Sequence, residues 1–293
     1  MNRLKINGLL FLLLFSAQLL AQSSQPEQLT VPLSNPGKPY SLKVFLARGT
    51  LKIIGYNGKD ILVNADKPDS SDRKEMDRKR NREAFWKDNN NDNGEIEGMR
   101  RLSNSGSYEI TAKENDNNVS INANSPNRDV PLTIRIPQDV KLKVVKTNGE
   151  MVKIDNVKGE LEVSNTNGNI LLTNIAGSVV ANTTNGNITT SFSSVNAQAT
   201  MAFTTFNGNV RVDFPAGMKA NLKLNSERGE IYTDFDIDID NSHPQANSTS
   251  KEKGIYKISK TNTIYGKING GGPEIFMKTY NGNIYIKKAG SKL

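Results

Sequence analysis

Thr147-Asn148-Gly149-Glu150, Thr166-Asn167-Gly168-Asn169, Thr184-Asn185-Gly186-Asn187, Phe206-Asn207-Gly208-Asn209, Glu227-Arg228-Gly229-Glu230 and Tyr280-Asn281-Gly282-Asn283 are variants of one four-residue phrase. An apolar residue follows each at once: Met151, Ile170, Ile188, Val210, Ile231 and Ile284. From Gly149 the glycines step by 19, 18, 22 and 21 residues, and halfway glycines stand at Gly159, Gly177 and Gly217. The chain therefore turns about every nine or ten residues, the mark of a repeat architecture.

Between turns the apolar residues alternate, as in Leu161 and Val163, Ile170 and Leu172, Val179 and Ala181, and Leu222 and Leu224. A period of two is that of strands with one face inward. Two short strands and two turns cannot bury that face alone, so units must stack, each about 4.8 Å from the next. The expected fold is all-β: a single-stranded β-solenoid with coils of about 18–22 residues. Asn-Gly suits its corners because both residues tolerate positive φ. Equivalent Asn side chains can also stack and exchange amide hydrogen bonds. A calcium ladder would instead need a carboxylate at a fixed place in each repeat. That place holds Asn169, Asn187 and Asn209, with acid only at Glu150 and Glu230, so the turns read as structural.

Around this repeat the chain divides as follows. Residues 1–21 read as a secretory signal peptide: Arg3 and Lys5 precede an apolar run from Leu9 to Leu14, and small residues end at Ala21. That run is too short for a membrane span, which needs about 20 residues. With no cysteine the sequence offers no lipoprotein anchor after the apolar run, and no disulfide, thiolate metal site or cysteine nucleophile. Residues 22–65 alternate like further strands or a cap (Leu42, Val44, Leu46; Leu51, Ile53; Ile61, Val63). Residues 66–104 read as a charged insertion, with Glu75–Lys79 and Glu83–Lys87 at helical spacing and an asparagine run at Asn89 to Asn93. Residues 105–293 carry the solenoid. A second irregular stretch runs from Asn241 to Lys253.

Apolar content of 35% is low for a helical bundle and fits short strands and tight turns. Loss of Arg3 and Lys5 with the signal takes two from a net charge of +8, a mild excess that does not point to nucleic acid in an exported protein. No Gly-x-Ser-x-Gly motif occurs, and Gly270-Gly271-Gly272 is followed directly by Pro273 and not by a Lys-Ser/Thr pair. His243, before Pro244, reads as a loop residue. Asp234, Asp236, Asp238 and Asp240 alternate with Phe235, Ile237 and Ile239. On one strand they would share a face, which could bind calcium or be the solvated side of a terminal coil. Phe85 and Trp86 are the candidate partner contacts, or else an anchor for the insertion.

Gly98-Met99-Arg100-Arg101-Leu102, Gly266-Lys267-Ile268-Asn269-Gly270-Gly271-Gly272-Pro273 and the terminal Lys278-Thr279-Tyr280-Asn281-Gly282-Asn283-Ile284-Tyr285-Ile286 resemble the bacterial adhesin-like domains of unknown function with repeated β-strands. The resemblance implies a β-solenoid in an exported envelope protein and no catalytic residue set. The functional expectation is a non-enzymatic, cofactor-free protein of the periplasm or cell surface, monomeric, whose partner is a surface polysaccharide or envelope protein. Two alternatives stand beside it. One is a polysaccharide lyase or hydrolase using Asp155, Glu160 and Glu162. The other is a scaffold whose coil ends stack into filaments.

Overall fold

The computed structural model describes residues 28–65, 108–124, 129–242, 247–252, 255–260 and 263–290. In chain order the first strands are β1 (Gln28–Val31), β2 (Ser41–Arg48), β3 (Leu51–Tyr56), β4 (Ile61–Ala65), β5 (Glu109–Asn115), β6 (Asn118–Asn124) and β7 (Leu132–Pro137). Next come β8 (Asp139–Asn148), β9 (Met151–Asp155), β10 (Lys158–Asn167), β11 (Asn169–Asn185), β12 (Ile188–Val195), β13 (Met201–Asn207) and β14 (Val210–Phe214). The last are β15 (Ala220–Ser226), β16 (Ile231–Thr233), β17 (Ile237–Ile239), β18 (Asn247–Glu252), β19 (Ile255–Lys260), β20 (Thr263–Ile268), β21 (Glu274–Asn281) and β22 (Ile284–Lys288). The described residues contain no helix. β18 and β19 pair as a hairpin, and the other twenty strands form one sheet.

That sheet is folded into two parallel walls. The first runs β6, β2, β8, β10, the second half of β11, β13, β21, β15. The second runs β7, β3, β9, the first half of β11, β12, β14, β22, β16. β11 crosses between them without a break, its register shifting around Ile175. From β8 onward each coil is one strand from each wall joined at an Asn-Gly-type corner, which is the β-solenoid the repeat predicts.

The interior follows from the alternation. β14 and β3 bury every second residue, and rows of inward side chains run along the stack. One such row is Val44, Val144, Val163, Ala181, Phe203, Met277 and Leu224, all nearly inaccessible. Phe192 stacks on Phe214 with centroids 5.1 Å apart and meets Phe203 edge-on at 6.4 Å, filling the width between the walls. Ladders of this kind join the buried apolar side chains of the described walls into one continuous core.

The order of coils differs from chain order at both ends. The coil of β2 and β3 lies between that of β6 and β7 and that of β8 and β9. At the other end the final coil, β21 and β22, slips between β13–β14 and β15–β16. Antiparallel strands close the stack: β5 on β6, β4 and β1 beyond β7, and β20 and β17 beyond β15. The 66–104 insertion, with Phe85 and Trp86, the signal segment and His243 lie outside the described residues.

Candidate functional site

The repeated corner is built by glycine and asparagine in separate roles. Gly168 and Gly208 take φ of 122° and 146°, a region that side chains rarely enter. A Cβ on Gly208 would stand 2.1 Å from the carbonyl oxygen of Gly186 one coil below, so the coils approach closely only because the position is bare. The preceding Asn residues do not take positive φ. The non-glycine residues that do, Asn156 and Asn174 among them, belong to other turns. The corner Asn serves instead as a ladder: Asn167 donates to Asn148 at 2.9 Å, Asn185 to Asn167 at 2.9 Å, Asn207 to Asn185 at 2.7 Å and Asn281 to Asn207 at 2.7 Å. A second ladder runs beside it, with the side-chain oxygens of Asn169, Asn187 and Asn209 accepting from the backbone N–H of Asn187, Asn209 and Asn283, each at 2.8 Å. Each of these amides is bonded to a neighbouring coil.

The ladder also explains the displaced final coil. Arg228 cannot both donate to and accept from an amide neighbour, whereas Asn281 can, so the coil bearing Asn281 is inserted and the one bearing Arg228 closes the row. One expected equivalence shifts. The corner at Gly149 is a residue longer, Met151 pairs with Asn169, and the inward residue is Val152.

Behind several corners a buried polar side chain serves the glycine carbonyls. Thr205 donates to Gly186 at 2.9 Å, Thr279 to Gly208 at 2.8 Å and Ser226 to Gly282 at 2.8 Å. In the coil of β8 that position is Lys146, 2% exposed, whose Nζ has no hydrogen-bond partner. Burial pushes its ammonium down from 10.5 to about 8, against the opposing pull of Asp129 and Glu150. The alternation pattern gives no hint of it; aligning the residue two before each Asn-Gly would have shown it.

On the outer face of the first wall Lys141 pairs with Glu160 at 3.2 Å and Lys143 with Glu162 at 2.8 Å. These pairs are exposed and add little stability. A groove of about 530 Å³ runs past Tyr40, Lys141, Lys158, Glu160 and Asn196. The Tyr40 hydroxyl donates to the Pro137 carbonyl at 2.6 Å. Burial, with the Asp139 charge, raises its pKa far above the ordinary phenol value, so Tyr40 remains protonated. Asp155 is on the second wall, accepting from the Thr173 hydroxyl at 2.5 Å. It does not converge with Glu160 and Glu162.

The four aspartates are not on one strand. A bend at residues 234–235 precedes the three-residue β17. Asp234 accepts from the Lys288 N–H at 2.7 Å, Asp238 stands opposite Lys267, and Asp240 accepts from the Ser242 N–H at 2.9 Å. Among the described residues no three acids, histidines or cysteines gather as a metal cluster.

Two aromatic pairs flank the corner in the last coils. Phe206 stacks on Tyr280 at 4.8 Å with planes 3° apart, and the Arg228 guanidinium covers the other face of Tyr280 at 5.2 Å. Tyr285 stacks on Tyr232 at 5.3 Å. In the repeat Phe206 and Tyr280 replace the Thr of Thr166 and Thr184, a substitution visible in the sequence. Their contact is not visible there, because it depends on the inserted final coil.

An all-β solenoid with laddered corners and a polar outer wall defines a repeat-built structural or binding module. The model of the family described as Toastrack DUF4097 matches residues 138–287, just over half of the 293 residues, and the chain belongs to that family. Comparison with curated proteins gives no match. Among solved structures, the chain is similar to a candidate cell adhesion protein from Clostridium sporogenes ATCC 15579, with 12% identity, a TM-score of 0.41, and coverage of 90% of this chain and all of that one. It is also similar to a candidate adhesin from Bacteroides fragilis NCTC 9343, with 10% identity, a TM-score of 0.26, and coverage of 91% and 98%. Likenesses this distant carry no argument of their own.

Proposed function

We propose that the chain is an exported, non-catalytic, adhesin-like protein that presents its solenoid wall to a polysaccharide or protein of a cell surface. One observation carries this reading: the corner repeats an amide ladder in register over five coils and adds exposed aromatic pairs in the last ones, a surface suited to an extended partner. Phe206, 49% exposed, and Tyr232, 47% exposed, are aromatics of the kind that anchor contacts. The acids that an enzymatic reading requires are occupied elsewhere, Glu160 and Glu162 by lysines and Asp155 by a threonine. The antiparallel strands at the ends of the stack favour a monomer over a filament.

The test is adsorption of the protein, expressed from Gln22 onward, to intact bacterial cells, with fractionation of the native host. Saturable adsorption and recovery in the envelope or medium fit the reading. A cytoplasmic location or no adsorption to any cell would remove it.

A further inference from the structure

The stack of Phe206, Tyr280 and Arg228 runs along the solenoid axis and is closed at only one end. Tyr280 is half-buried between its neighbours, while Phe206 is half-exposed. On its free side the register places Thr184, and beyond that Thr166, both exposed. A threonine side chain ends at Cγ, several ångströms short of the reach of a phenyl ring. The ring of Phe206 therefore overhangs a notch one coil deep, about 4.8 Å, in the slot where an aromatic at position 184 would continue the stack.

Polar groups border the notch on both sides. Asn185 lies at the corner, donating to Asn167 at 2.9 Å and accepting from Asn207 at 2.7 Å. Each bond uses only half of what an amide offers, leaving one N–H and one oxygen lone pair. On the strand side, two residues before Thr184 and so on the same face, Asn182 donates to Ser164 at 2.9 Å. An open aromatic face between two amides, each with a spare donor and acceptor, is complementary to a ring with an apolar C–H face and hydroxyls at its rim. The hydroxyls both donate and accept, and the C–H groups meet the negative face of the phenyl ring.

We propose that this notch, formed by Phe206, Thr184, Asn182 and Asn185, is a subsite for a neutral hexopyranose ring of a glycan. The assignment rests on the adhesin-like reading and gives it a ligand class and a place. The ring stacks on Phe206 in the vacant aromatic slot, and its hydroxyls bridge the two amides. The stack behind Phe206 holds it rigid, so little side-chain entropy is lost on binding.

Saturation-transfer NMR on the protein from Gln22 onward, with methyl β-D-glucopyranoside, methyl β-D-galactopyranoside and methyl α-D-mannopyranoside, tests this subsite. At least one should bind. Phe206→Ala should weaken it about tenfold. Thr184→Phe, which fills the notch while extending the stack, should do the same with an unchanged circular dichroism spectrum. Lys59→Ala, in the exposed turn between β3 and β4 at the opposite end of the stack, should bind as the parent does. The subsite is overturned if none of the three sugars binds, or if binding survives both Phe206→Ala and Thr184→Phe. Cell adsorption measured on the same samples separates the two ideas: adsorption without sugar binding removes the subsite alone, and loss of both removes the adhesin-like reading as well.

Discussion

Replacing Lys146 by Met should make the protein more stable at neutral pH, although it removes a charge from a basic chain. Lys146 points inward beside Leu46 and Asn165, is 2% exposed and finds no partner for its ammonium. Its fall from 10.5 to about 8 corresponds to about 3 kcal/mol carried by the folded state when the group is charged. Met has similar volume and no charge to bury, and such replacements commonly gain about 1–4 kcal/mol. The sign with pH follows from proton counts. Between about 8 and 10.5 the unfolded chain holds a proton on this lysine and the folded one does not, so the parent gains stability as pH rises through that window. Below 8 both states are protonated and the penalty is constant. Urea unfolding of parent and variant should show the Met protein ahead by about 2–3 kcal/mol at pH 7, with the gap narrowing towards pH 10.5. A Met variant less stable than the parent at pH 7, or a gap independent of pH, would refute the reasoning.

Three other substitutions probe the corner and the wall. Gly208→Ala places a Cβ 2.1 Å from the Gly186 oxygen at φ 146°, and should cost upwards of about 2 kcal/mol in urea unfolding; a neutral effect would mean the coils are less tightly apposed. Asn207→Ala breaks the ladder in both directions, to Asn185 and from Asn281, and should cost about 1–2 kcal/mol by the same assay, since the amides left behind reach water. Glu162→Gln removes only the exposed pair with Lys143. It should change the unfolding free energy by less than about 1 kcal/mol and leave cell adsorption as it is.

The solenoid and its laddered corners were legible because each coil repeats the same local chemistry: alternating Leu161 and Val163, then Asn167-Gly168. A period of two and a glycine at fixed intervals are properties of the chain itself. The stacking order was not legible. Asn281-Gly282 and Arg228-Gly229 carry nearly the same local signal, and which lies next to Asn207 depends on whether an amide or a guanidinium can continue the ladder across a separation of 74 residues in sequence. The candidate site shares that limit. The replacement of Thr by Phe206 and Tyr280 can be read from the repeat, but their stacking, the cover from Arg228 and the open face of Phe206 exist only once the last coil is inserted. Alternation likewise marks Val144 and passes over Lys146, because the pattern records where a side chain points and not what it finds there. In the same way, four alternating aspartates suggest one strand face, and a bend beside the buried Phe235 divides them.

The measurement that most directly tests a non-catalytic binding role is incubation of the protein from Gln22 onward with an array of immobilised glycans and with the same polysaccharides in solution, recording retention and polymer length together. Saturable retention on a subset of glycans with polymer length unchanged is the predicted result. Shortened polymers would make the protein an enzyme, and absence of retention on every glycan and on intact cells would contradict its role as a binding wall.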